Sequence, residues 1–133
     1  MTRYVVDASV AVEYLLRTRV GRSVAGDIEH AFLIAPELLD VEVLSALRRA
    51  VLHKRLAASV AQTALDDLVG WQVIRIPHRA LAPSAWEHRH NASAYDAFYV
   101  AAARIFDAPL LTADGPLSRA AGLGIVVQNV RVV

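Results

Sequence analysis

Apolar and polar residues fall into two kinds of block along this chain. Short apolar runs closed by turn formers read as buried strands, and longer stretches with apolar residues three and four apart read as helices. Arg3–Val6 is the first short run, residues 31–35 the second, closed by Pro36, and residues 71–76 the third, closed by Pro77. Residues 109–114 and 125–132 supply two more. Between these runs, helical patterns cover 10–16, 23–30, 36 to about 55, 56–69, 80–90, 93 to 105 or 106, and 116–121. Ser23, Ser59 and Ser93 stand where caps are needed, Pro36 suits a first helical turn, and Gly70 suits a helix end. Strands separated by helices predict an α/β fold of three layers, α/β/α, around a twisted parallel sheet of about five strands.

Composition narrows this picture. A chain of 133 residues, 56% hydrophobic and 20% charged, is expected to form a single domain over 1–133 with a real core. Its 14 Lys and Arg nearly balance its 13 Asp and Glu, which neither demands nor forbids a nucleic-acid partner. No cysteine is present, so thiolate chemistry is excluded and any metal must use oxygen or imidazole ligands. Asp7 and Glu13 interrupt the apolar opening, and no apolar run approaches the roughly 20 residues of a membrane span. The expected location is cytoplasmic.

Four carboxylates carry the candidate chemistry. Asp7 and Asp114 each end a predicted strand, with Ser9 and Thr112 two residues away. In a parallel sheet both acids emerge at one edge, where such folds bind ligands. Glu42 lies beside the apolar stripe of its helix (Leu39, Val43, Ala46, Leu47, Ala50), on the side of Ser45, Arg49 and His53. Asp96 opens a nearly all-apolar helix. Each acid also has a local explanation: Asp7 as a helix cap, Asp96 in a capping box after Ser93, and Glu42 as a surface partner of Arg49. Together, carboxylates without intervening cations repel one another, and a hard divalent ion relieves this. Oxygen ligands suit Mg²⁺ or Mn²⁺, the usual apparatus of phosphodiester hydrolysis. The histidines do not offer a comparable site, because His88 and His90 diverge on a helix and His53 and His78 lie far away. No Gly-rich phosphate loop is present.

The contexts Val6-Asp7-Ala8-Ser9, Pro36-Glu37-Leu38-Leu39-Asp40-Val41-Glu42 through Arg49, Tyr95-Asp96-Ala97-Phe98-Tyr99 and Leu111-Thr112-Ala113-Asp114, in that order, resemble the PIN-domain family. Within it the chain is most similar to the VapC toxins of bacterial toxin–antitoxin pairs. The resemblance implies an endoribonuclease dependent on one or two Mg²⁺ or Mn²⁺ ions, with Asp7, Glu42, Asp96 and Asp114 as catalytic metal-site residues and Ser9 and Thr112 as supporting hydroxyls. Ser45 stands where many relatives carry Asn. The resemblance also implies a homodimer, a VapB-type antitoxin that covers the site, and an RNA substrate. Arg17, Arg19, Arg49 and Arg89, with Arg22, Lys54 and Arg55, are candidate phosphate contacts. Val10, Ala11, Tyr14, Leu15, Leu44, Leu52 and Leu56, in a chain of mean hydropathy +0.37, are candidates for a covered apolar surface. Two other readings stay open: a non-catalytic PIN scaffold binding RNA or protein, and a PIN-fold nuclease acting on structured DNA.

Overall fold

The structure, a computed structural model, describes residues 1–119 and 122–131. In chain order the elements are β1 (Arg3–Val6), α1 (Ala8–Leu15), α2 (Arg19–Glu29), β2 (Phe32–Pro36), α3 (Leu38–Leu52), α4 (Ala58–Gly70), β3 (Val73–Ile76), α5 (His78–Trp86), α6 (Ala94–Ile105), β4 (Leu110–Thr112), α7 (Gly115–Arg119) and β5 (Val127–Asn129). The five strands form one sheet in the order β3-β2-β1-β4-β5, and every pair is parallel. All carboxyl ends therefore lie along one edge.

The apolar runs become strands because helices leave the central ones no wet face. Val5, Val6 and Leu110 are wholly buried. Helix α6 packs on β1, β2 and β4. Its buried Ala97, Ala101, Ala102 and Ala103 are small enough to let that helix lie close to the sheet. Val10, Ala11 and Leu15, expected as candidates for a covered surface, belong to the core instead. Leu44 and Leu52 do remain exposed, at 48% and 62%. No helix among the described residues is long and apolar enough to cross a membrane.

Several helix ends differ from the expected ones, for local reasons. Thr18 caps α2, its hydroxyl accepting from the Gly21 N–H at 3.1 Å, so the helix starts before Ser23. Ser23 donates to the Val20 carbonyl instead. Helix α4 starts after Ala57 with no side-chain cap, although Ser59 was the expected one. Pro36 does not open α3; it ends β2, paired in register with Ile76. The first free N–H of α3, that of Leu38, donates to His78 Nε2 at 2.8 Å. Helix α5 runs from His78 to Trp86 and stops short of residue 90. Of the expected last helix and last strand, α7 and β5 are the described parts, and residues 120, 121 and 132 lie outside the described residues.

Helices α1, α3 and α6 all stop without glycine. Each is followed two residues later by a left-handed residue: Arg17 (φ 55°), Lys54 (φ 58°) and Asp107 (φ 48°). The next amide then reaches back to the helix, Thr18 to Glu13, Arg55 to Ala50 and Ala108 to Ala103, at 2.9 to 3.1 Å. This is the six-to-one bond that satisfies a helix's last carbonyls.

Helix α3 is fastened at its start by Arg75 on β3. That guanidinium donates to Asp40 at 3.0 Å and to the carbonyls of Leu68 and Trp71, both at 2.8 Å. The fastening matters because Glu42 projects from the same helix.

Candidate active site

Pairing of β1 with β4 places Val6 beside Leu111, so the next residues on each strand, Asp7 and Thr112, emerge side by side. Asp7 is 5% exposed and Thr112 wholly buried. The Thr112 hydroxyl donates to Asp7 Oδ2 at 2.5 Å, and the Ser9 hydroxyl donates to Oδ1 at 2.6 Å. Oδ1 also accepts from the Val10 N–H at 3.1 Å, so Asp7 both caps α1 and faces the sheet edge. Ser9 Oγ accepts from the Ala113 N–H and Thr112 Oγ1 from the Asp114 N–H, at 2.8 and 2.9 Å. The two hydroxyls thus couple Asp7 to the backbone that presents Asp114.

The remaining acids arrive from two helices. Asp96 lies in the first turn of α6, where the Ser93 hydroxyl accepts from its N–H at 3.1 Å. Glu42, on α3, accepts from the Tyr99 hydroxyl at 2.6 Å and not from Arg49, which bonds the Ser45 hydroxyl at 3.0 Å. Asp7, Glu42, Asp96 and Asp114 line one open cleft of about 440 Å³, together with Ser9, Glu13, Arg49, Tyr99 and Arg131.

Electrostatics in this cleft disfavour the bare charges. Burial pushes Asp7 up to about 6 from an ordinary 3.8, with the Asp114 charge adding to it, against the lowering effect of its three hydrogen bonds. Glu42 is raised by burial and by Asp96. Asp96 is raised by burial and by Asp114. Tyr99 is raised far above the usual phenol range by burial and by Glu42, so it stays a proton donor to that carboxylate. None of the ion pairs among the described residues involves the four acids.

This donor set fits a hard divalent cation, whose charge would offset the repulsion. Among the described residues no three His, Asp or Glu side chains stand close enough to hold an ion by themselves. An Mg²⁺-like ion is commonly bound through only one or two protein carboxylates and keeps several waters. No histidine contributes: His88 is buried with its Nε2 unpartnered, and it does not line the cleft.

Of the expected phosphate contacts, only Arg49 lines this cleft. Arg17 and Arg22 line a separate pocket beside the stacked Tyr14 and Trp71 rings. Arg89 lies over the Trp86 ring at 4.9 Å, and Arg19 opens α2. Tyr99, Glu13 and Arg131 are cleft residues that reading the sequence did not single out.

A family described as PIN domain matches residues 4–123. The chain is 41% identical to the protein named Ribonuclease VapC1 of Mycobacterium tuberculosis, over 98% of this chain and all of that one. Among solved structures it resembles PAE2754 from Pyrobaculum aerophilum, with a TM-score of 0.67 at 21% identity, covering 96% of this chain and 84% of the other. It also resembles VapBC2 from Rickettsia felis, solved bound to a DNA fragment from the promoter, with a TM-score of 0.64 at 11% identity, covering 96% and 98%.

Proposed function

Since the chain belongs to the PIN-domain family, we propose that it is a Mg²⁺- or Mn²⁺-dependent endoribonuclease acting as the toxin of a toxin–antitoxin pair. The observation that carries this reading is the meeting of Asp7, Glu42, Asp96 and Asp114 in one cleft at the carboxyl edge of the sheet. Asp7, Asp96 and Asp114 would hold the ion or ions, and Glu42 would hold a second ion or orient the attacking water. A bound divalent ion would supply an activated water and offset charge on the phosphodiester. In the hydrolysis, water adds to phosphorus and the bond to the leaving ribose oxygen breaks. Ser9 and Thr112 keep Asp7 aimed into the cleft. The name of the M. tuberculosis relative supports ribonuclease activity.

The name VapBC2 supports a VapB-type antitoxin as partner. A groove of about 250 Å³ between α3 and α4, lined by Leu44, Leu47, Val51, Leu52, Ala61 and Leu65, supports a protein partner on physical grounds. A homodimer and a cytoplasmic location complete the reading.

The test is cleavage of total RNA by the purified chain. With Mn²⁺ the RNA should be cut at discrete positions, and Asp96→Asn should be slower by about two to three orders of magnitude. Undiminished cutting in excess EDTA would overturn the reading.

Tyr99→Phe separates positioning from packing. The ring keeps its buried contacts, but Glu42 loses its one hydroxyl donor. Cleavage should fall about 10- to 100-fold, as for other supporting bonds around metal-site ligands. The melting temperature should move little. A cleavage rate equal to the parent's would remove Tyr99 from the machinery.

A further inference from the structure

We propose that Arg131 is a substrate-binding residue that grips a phosphodiester oxygen next to the bond being cut, an inference that rests on the ribonuclease reading of the cleft. Among the described residues lining that cleft, the carboxylates Asp7, Glu13, Glu42, Asp96 and Asp114 stand against only two guanidinium groups, Arg49 and Arg131. A polyanion approaching so acidic a surface needs cations at its margins. Arg49 lies on α3, which packs on β2, whereas Arg131 follows β5, beyond β4. The two cations therefore reach the cleft from different elements of the fold.

Arg131 is already fixed in place. Its backbone N–H donates to Asn129 Oδ1 and its Nε to the Ala113 carbonyl, both at 3.0 Å, and a terminal nitrogen donates to the Glu13 carboxylate. Ala113 adjoins Asp114, and Glu13 lies on the helix that Asp7 caps, so the guanidinium is anchored to both elements that present the inner acids. A guanidinium carries five N–H donors, of which these bonds occupy two. The side chain is still 51% exposed. A donor fork held rigid before the substrate arrives loses little freedom on gripping a phosphate, which strengthens the contact.

A clasp that merely ties down the chain's last turn would change stability and leave nucleic-acid binding alone. The experiment reads both. Binding of a labelled, mixed-sequence, single-stranded oligoribonucleotide is followed across a salt series with Mn²⁺, in an Asp96→Asn background that cuts too slowly to deplete the probe during the measurement. Arg131→Ala should weaken binding about tenfold at low salt and reduce the slope of log affinity against log salt by about 0.7, one phosphate contact on a single strand. Arg131→Lys should keep the slope. Calorimetric Mn²⁺ binding by Arg131→Ala should be undiminished. Unchanged affinity and slope in Arg131→Ala, whatever its melting temperature, would overturn the proposal. If the parent chain leaves total RNA intact while Arg131→Ala still loses the slope, the ribonuclease reading falls and the phosphate grip stands.

Discussion

Asp7→Asn is expected to slow RNA cleavage by about 10³-fold while the ion-free protein melts several degrees higher than its parent. The two effects have one cause. Asp7 is buried and hydrogen-bonded, yet its carboxyl is held up to about 6 from 3.8, chiefly by loss of water. At neutral pH the folded chain therefore carries an ionised group that the unfolded chain solvates better, a penalty of at most about 3 kcal/mol. Asparagine removes the charge with nearly the same shape. Its oxygen can still accept from Ser9 and Val10, and its amide can donate to Thr112 Oγ1, whose own proton can turn toward Ser9 Oγ, 3.3 Å away. The pH dependence fixes the sign. Between about 3.8 and 6 the folded form holds a proton that the unfolded form releases, so the parent's extra stability is full below 3.8 and is lost as pH rises through about 6. Glu42 and Asp96, also raised, act in the same direction. Thermal melts in EDTA across this range should show a shallower decline for Asp7→Asn. A variant less stable than its parent at pH 7 would contradict this account of the site.

Gly21→Ala should be among the most damaging single-methyl additions to this chain. A Cβ at Gly21 would stand 2.0 Å from the Glu13 carbonyl oxygen and 2.9 Å from Tyr14 Cα, so α1 and α2 meet backbone to backbone there. No side-chain rotation relieves that clash, and the helices must move apart. The cost should reach the upper range of overpacking, about 3 kcal/mol, or a fall of about 10 °C in melting temperature. The displacement would also pull on Glu13, the residue that pins Arg131. Gly26 on the same helix is the control. Nothing lies within 4 Å of a Cβ there, and Gly26→Ala should stabilise by up to about 1 kcal/mol through helix propensity. Equal melting temperatures for the two variants would refute the close crossing.

What the sequence made legible follows from how local each signal is. The strand Arg3–Val6 declares itself through Val5 and Val6, since the part of a strand covered on both faces must be apolar, while its exposed start can carry Arg3. Asp7 and Asp114 can be paired on paper because parallel strands share a carboxyl edge. Tyr99 is harder, since one hydroxyl inside a run of alanine and valine reads as core. Its only clue is the three-residue spacing from Asp96, which puts both on one helix face. Arg131 and Glu13 have no local clue, being 118 residues apart in sequence. Charge alone likewise failed to place Arg17, Arg19 and Arg89, which do not line the acid cleft. Helix exits at Arg17, Lys54 and Asp107 escaped the glycine rule because their closing amide bonds do the work that glycine usually marks.

The strand order carries a consequence for the timing of synthesis. The innermost strand, β1, is translated first, yet one of its two neighbours, β4, begins at Leu110. A ribosome that has made β1 to α6 has therefore produced Asp7, Glu42 and Asp96 without the strand that supplies Thr112 and leads to Asp114. Such long-range pairing is slow to form. A growing chain of this kind lacks both Asp114 and the hydroxyl that holds Asp7 until its last portion emerges, and a message broken before the β4 codons yields a chain without that part of the cleft.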